Sequence, residues 1–111
     1  MSAAPNWKPA PAERCDDYLA YVRSLPSVES GQLGCVAHHA IGNRYSTLKT
    51  SDYFTIPLTD AEHKILHDKA WRAWEELHGS QREHAADVLL QAIRDGVLVF
   101  DKRAAKYIGG E

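Results

Sequence analysis

The chain has 111 residues, of which 44% are hydrophobic and 25% are charged, and its formal net charge is −2. This composition supplies one modest hydrophobic core, and the longest apolar runs are too short to span a bilayer. Dedicated nucleic-acid binders usually carry a basic excess that displaces counterions from phosphates, so the charge balance excludes binding that is driven by net charge alone.

The chain begins with a proline-rich arm, which we predict to be flexible over residues 1–12. The arm has no apolar segment of the secretory type, so we expect a cytoplasmic protein. That location argues against the one disulfide that Cys15 and Cys35 could form. Apolar residues at helical spacing then predict a helix over residues 13–25, ended by Pro26.

Two short strands are predicted in the middle of the chain. The first covers residues 35–37 and runs into His38 and His39. The second covers residues 53–56 and is closed by Pro57. The connection between the strands is polar and rich in turn-forming residues.

Two helices with matching start signals follow the strands. Thr59 and Glu62, and later Ser80 and Glu83, have the spacing of a capping box, and each box opens a segment that ends near a glycine. The predicted helices cover residues 59–77 and 80–95.

The end of the chain is predicted to add one short strand, over residues 97–100. The charged residues 101–111 are expected to form a frayed tail. The elements together predict a single α+β domain over residues 13–100, with a ββα unit in its middle.

Four of the six histidines fall into two tight groups. His38 and His39 are adjacent on the first strand, and His63 and His67 are four residues apart on a helix. A spacing of four places two imidazoles on one helical face, where they can share a metal ion. Adjacent strand residues point in different directions, so one of His38 and His39 is expected to face the metal and the other water and substrate.

Each group alone also has an ordinary explanation. Adjacent histidines are weak evidence of a site, and His67 could belong to a packing stripe with Trp71 and Trp74. For the two tryptophans we favour core packing over stacking on unpaired bases. His78 and His84, at helix ends, are predicted to be solvated. The joint order of the two histidine groups favours a functional site, because a packing helix needs no such order.

Several motifs occur in one order along the chain. They are Tyr18 to Pro26, Ala37-His38-His39, Gly42, Lys49 to Asp52, Thr55 to Leu58, Glu62-His63 and Trp74-Glu75. Together they resemble the ββα-metal (HNH, His-Me finger) endonucleases, and in particular the phage and prophage recombination-enhancement (Ref-like) nucleases. The resemblance covers residues 18–98. It implies hydrolysis of DNA phosphodiester bonds in recombination or DNA processing, and it implies a recombinase–DNA filament as a partner.

The resemblance also implies a role for each site residue. His39 would be the general base, and Asp52 lies near the position that holds the loop of the base, so we count both as catalytic. His38, His63 and His67 would bind one divalent metal ion, either Mg²⁺ or Mn²⁺, or Zn²⁺ or Ni²⁺.

One part of the family pattern is missing from this chain. The expected pair of zinc-binding cysteines is replaced by Ser27 and Ser30, and a further cysteine by Thr59. Hydroxyls are poor substitutes for thiolates at such a site, so no structural zinc is expected.

Basic residues near the histidines are candidates for binding DNA phosphates. Arg44, Lys49 and Lys64 are the candidates that we select, and Lys69 and Arg72 follow on the helix. The alternative is an ordinary solvated face, since surface lysine and arginine are common.

Two other functions fit the same motifs. The chain could be a non-catalytic nucleic-acid-binding accessory protein of recombination that retains the ββα shape, or a metal-binding structural domain of a larger assembly. DNA cleavage that depends on both metal and His39 would separate the endonuclease from both alternatives.

Overall fold

A computed structural model describes residues 13–40, 51–68, 71–100 and 105–109, which form an α+β fold. The predicted N-terminal arm lies outside the described residues. None of the helices in these ranges has the length and apolar character that crossing a bilayer requires. The elements in chain order are α1 (Asp16–Arg23), β1 (Cys35–His39), β2 (Thr55–Thr59), α2 (Asp60–Asp68), α3 (Trp71–His78), α4 (Gln81–Arg94), β3 (Leu98–Phe100) and β4 (Ala105–Tyr107).

The first sheet consists of β1 and β2, which pair antiparallel with His38 opposite Ile56. The prediction that Pro57 closes the second strand was wrong, because β2 continues through Pro57 to Thr59. A proline is tolerated here because each strand of a two-stranded sheet has one edge without a ladder partner. The carbonyl of Pro57 also accepts a hydrogen bond from the backbone N–H of Val28 (3.1 Å).

The helical predictions were right about the start signals of both helices. Thr59 and Glu62 form a reciprocal capping box, since each accepts a hydrogen bond from the backbone N–H of the other. The single helix predicted over 59–77 is described as two helices, α2 and α3, and residues 69–70 between them lie outside the described residues. Ser80 caps α4 as predicted and accepts from the N–H of Glu83.

The first and last elements also differ from prediction. The helix predicted over residues 13–25 is shorter, from Asp16 to Arg23, because residues 13–15 lead into it as a non-helical segment. The prediction of a frayed tail over residues 101–111 was wrong in part. Within that range β4 pairs antiparallel with β3, and Tyr107 lies opposite Leu98. Tertiary pairing holds this short segment, which its own sequence pattern does not predict.

The core lies where α1, the first sheet, α2, α3 and α4 meet. Tyr18, Val22 and Trp74 are buried in it, as predicted, whereas Trp71 is only half-buried. The thiols of Cys15 and Cys35 are free. The core therefore packs α2 against both strands of the first sheet, and this packing brings the two histidine groups together.

Candidate metal centre and its neighbouring carboxylate–histidine pair

Three imidazoles converge between β1 and α2. One candidate ligand atom from each of His38, His63 and His67 lies within 4.8 Å of the others. The Nε2 atoms of His63 and His67 are 3.0 Å apart, and the ring of His38 stands edge-on to both, with centroid distances of 5.0 and 5.4 Å. The four-residue spacing on α2 and the packing of α2 against β1 thus produce the predicted cluster.

The protonation state of the cluster suits a metal ion. His38 is only 2% exposed, and burial lowers its pKa to about 4, although a hydrogen bond with Gln81 opposes the shift. Burial also lowers the pKa of His63, and the neighbouring His67 lowers it further. Neutral imidazole is the form that binds a metal, so the three described side chains could hold a metal ion. His67 is exposed, so solvent can reach the cluster from that side.

His39 takes part in a different contact, as the alternation of a strand predicts. Its Nε2 lies 2.8 Å from Oδ1 of Asp52, which is buried just before β2. The side chain of His39 is 37% exposed, so solvent can reach it. Two adjacent residues of β1 therefore serve two separate groups of side chains.

Asp52 is held from the other side by residues that precede α1. Its Oδ2 accepts from the backbone N–H of Cys15 (2.8 Å), its Oδ1 accepts from Arg14 (3.3 Å), and its own N–H donates to the carbonyl of Glu13 (2.9 Å). Burial raises the pKa of the Asp52 carboxyl, but the hydrogen bonds from His39, Cys15 and Arg14 outweigh burial and lower it overall. The carboxylate is therefore ionised and fixed beside His39.

Two of these neighbours have no signal in the sequence pattern. Arg14 lies 38 residues from Asp52 along the chain and outside every motif. Gln81, the first residue of α4, is fully buried, and its Oε1 lies 2.8 Å from Nε2 of His38. A polar residue in the first turn of a helix is common, so only the tertiary structure reveals its contact.

A hydrogen-bonded network lies at residues 27–30, where the resemblance described above implied zinc-binding cysteines. The Ser27 hydroxyl donates to Oε1 of Glu62 (2.5 Å) and accepts from the backbone N–H groups of Glu29 and Ser30. Burial raises the pKa of Glu62, but hydrogen bonds from Ser27, Ser30 and Thr59 lower it overall. These hydroxyls and this carboxylate hold the turn at 27–30 against α2 without thiolate ligands.

We expect Glu62→Ala to lower the free energy of unfolding by about 1.5–3 kcal/mol, because hydrogen bonds to a charged acceptor are lost and buried donors remain. Urea denaturation in the presence of EDTA would measure the change. Glu76→Ala, at an exposed position on α3, is the matched control and should change the value by less than about 0.5 kcal/mol. Equal values for the two variants would contradict a structural role for the Glu62 network.

The prediction that His78 and His84 are simply solvated was wrong. Both are half-buried beside Trp74, with ring centroids at 4.9 and 6.0 Å from it. Nε2 of His84 lies 2.6 Å from the carbonyl oxygen of His78. Nε2 of His78 lies 3.5 Å from Oε1 of Glu29. They pack where α3 meets α4 because the indole offers an apolar face to their rings.

The basic residues predicted to bind phosphate are only partly described. Lys64 is exposed on α2, next to His63, and Arg72 is exposed with its guanidinium 5.1 Å from the centroid of the Trp71 ring. Arg44, Lys49 and Lys69 lie outside the described residues.

Comparison with known proteins identifies the family of the chain but not its activity. No curated protein matches the chain. No solved structure matches it either. A family model described as a protein of unknown function, DUF968, matches residues 8–96, which include every described histidine and Asp52. The chain therefore belongs to the DUF968 family.

Proposed function

We propose that this protein is a metal-dependent endonuclease of the HNH (His-Me finger) type that hydrolyses DNA phosphodiester bonds. One observation carries the proposal: adjacent residues of one strand serve two different sites. His38 belongs to the three-imidazole cluster, and His39 pairs with the buried carboxylate of Asp52. Phosphodiester hydrolysis needs both a cation near the phosphate and a base for the attacking water.

His39 is the general base in this proposal. Its Nε2–H donates to the ionised carboxylate of Asp52, which leaves the lone pair on Nδ1. A water molecule that attacks phosphorus can transfer its proton to that atom. Asp52 fixes the ring orientation and stabilises the imidazolium that forms, in the way a carboxylate orients a catalytic histidine in other hydrolases.

The residues that would hold the metal are His38, His63 and His67. A divalent ion bound there supplies positive charge that stabilises the charge developing on the phosphate oxygens. Imidazole ligands favour Zn²⁺ or Ni²⁺ for tight binding, whereas Mg²⁺ prefers oxygen ligands. The chain contributes the position of the ligands and the open side of the cluster at His67.

The order of the elements supports the assignment of a ββα-metal core within the α+β fold. The proposed base is on β1 and two ligands are on α2, which follows β2 directly. A ββα-metal centre has its base and metal ligands on these elements, according to the resemblance described above. The same resemblance supports a role in phage or prophage recombination, with a recombinase–DNA filament as partner.

Contacts with DNA are proposed for a small number of cations. Arg14 has a 51% exposed side chain beside the His39–Asp52 pair, and Lys64 is exposed beside His63. Arg44 and Lys49 complete the proposed set. Because the net charge is −2, binding should depend on few phosphate contacts and therefore weakly on salt.

Nicking of supercoiled plasmid tests this function. Wild-type protein is incubated with Mg²⁺, Mn²⁺, Zn²⁺ or Ni²⁺, or with EDTA, on naked plasmid and on plasmid carrying a recombinase filament. We expect cleavage with at least one ion and none in EDTA. A double variant, His39→Ala with His63→Ala, purified identically, controls for contaminating nuclease. Folded wild-type protein that leaves every substrate intact would refute the endonuclease. Retention of DNA by that protein in a gel shift would instead support the accessory-protein alternative.

A further inference from the structure

Gln81 is placed to select which nitrogen of His38 can bind a metal. Its Oε1 lies 2.8 Å from Nε2 of His38, and both side chains are buried, at 0% and 2% exposure. An imidazole has two nitrogens, and in the neutral ring only one of them has a free lone pair. A buried contact to one nitrogen therefore determines the role of the other.

The backbone of Gln81 is itself fixed by a hydrogen bond and by its place beside the helix cap. Its N–H donates to Oε2 of Glu75 on α3 (2.8 Å), and it directly follows Ser80, which caps α4. The start of α4 is therefore anchored to the preceding helix. Side chains held in this way keep their geometry when a ligand binds, because the supporting groups do not have to move.

We propose that Gln81 is a positioning residue that holds His38 as the Nε2–H tautomer, so that Nδ1 is its metal-binding atom. In this arrangement the Nε2–H donates to the amide carbonyl of Gln81. The opposite arrangement, with the Gln81 amide donating to Nε2, would place the ring proton on Nδ1 and leave His38 no free lone pair. The inference rests on the metal-binding part of the proposed function and names the tautomer of one ligand.

The other two ligands have more freedom than His38. The Nε2 atoms of His63 and His67 are 3.0 Å apart, so one of them donates a hydrogen bond to the other in the metal-free cluster. Binding through both Nε2 atoms requires the donating ring to move its proton from Nε2 to its own Nδ1, and His67 is exposed, so water can carry the proton between the two nitrogens. His38 is buried, so its tautomer has to be set in advance by the protein.

The inference has a direct spectroscopic test in the metal-free wild-type chain. Long-range ¹H–¹⁵N correlation spectra of protein with ¹⁵N-labelled histidine report which ring nitrogen of His38 carries the proton. We expect the proton on Nε2. A proton on Nδ1 would overturn the inference, and this measurement requires neither a variant nor DNA.

Zn²⁺ titration by calorimetry tests the effect of Gln81 on the cluster. Gln81→Met removes the acceptor at similar length and should weaken Zn²⁺ affinity by about 10–100-fold, which is typical for loss of a group that orients a metal ligand. Gln81→Glu keeps an acceptor and should retain most of the affinity. Gln91→Met, at an exposed position of the same helix, is the control and should bind like wild type.

The outcomes separate this inference from the proposed function. Wild-type affinity in Gln81→Met, or an equal loss in Gln81→Met and Gln81→Glu, would overturn it. Thermal unfolding in EDTA checks that each variant folds. If Gln81→Met does not fold, the ¹H–¹⁵N spectra of the wild type still test which nitrogen of His38 carries the proton. If Zn²⁺ affinity depends on Gln81 but the protein never cuts DNA, the inference about His38 would hold and the proposed endonuclease activity would be refuted.

Discussion

His39→Ala should cut plasmid DNA at least about a hundredfold more slowly than wild type while it binds Zn²⁺ with unchanged affinity. A positioned general base contributes about 10²–10⁴-fold to a rate, and the substitution removes only that base. The three imidazoles of the cluster do not include His39, so the ligand set stays complete. Initial nicking rates and Zn²⁺ calorimetry on the same preparations measure the two effects.

Two companion variants sharpen this test. His38→Ala should weaken Zn²⁺ binding, and excess metal should restore part of its cutting. Asp52→Asn should slow cutting and leave Zn²⁺ affinity intact, because it removes the carboxylate that orients the base. If His39→Ala lost the metal and His38→Ala kept it, the two roles would have to be exchanged. If His38→Ala and His39→Ala both cut DNA at the wild-type rate, neither residue would be catalytic.

The second large effect is expected on metal binding. His63→Ala removes the central ligand of the cluster and should abolish measurable Zn²⁺ or Ni²⁺ binding, a greater loss than the 10–100-fold typical of a supporting residue. The variant leaves His38 and His67 as the two remaining imidazoles of the cluster. His84→Ala, a histidine on α4 that contacts Trp74 instead, is the matched control and should bind like wild type. Unchanged binding in His63→Ala would exclude this residue from the site.

The stoichiometry and the effect of chelation extend this prediction. We expect one equivalent of Zn²⁺ per chain, and we expect EDTA to leave the helical circular dichroism signal unchanged. A fold that depends on its metal is typical of a structural site, and here hydrogen bonds of the Glu62 network join the turn at 27–30 to α2. Loss of helical signal on chelation would indicate that the cluster stabilises the fold rather than serving a reaction.

Local patterns predicted the parts of this fold that depend on local physics. The capping boxes at Thr59 and Ser80 were found because a helix start needs side-chain acceptors at fixed spacing. Helical spacing placed His63 and His67 on one face, and strand alternation predicted that one of His38 and His39 would face them. The family resemblance chose His38 for that position, and His38 is the residue that joins the cluster.

Features that depend on tertiary contacts were missed. The extension of β2 through Pro57 depends on a free sheet edge, and the pairing of β4 depends on β3, so neither has a local signal. Gln81 and Arg14 enter the site from distant parts of the chain, at separations of 43 and 38 residues from their partners. Their residue types are ordinary for exposed positions, which is where a pattern would place them.

The attachment of residues 13–15 to Asp52 has a consequence for local opening of the native state. Asp52 joins the segment before α1 to the end of β1, so its hydrogen bonds close two loops at once. Detachment of that segment would remove the hydrogen bonds from Cys15 and Arg14 that help to hold the carboxylate beside His39. The amides of Cys15 and Asp52 should therefore exchange with solvent deuterium together, and their shared opening free energy would measure how often the His39–Asp52 pair loses this support in the folded protein.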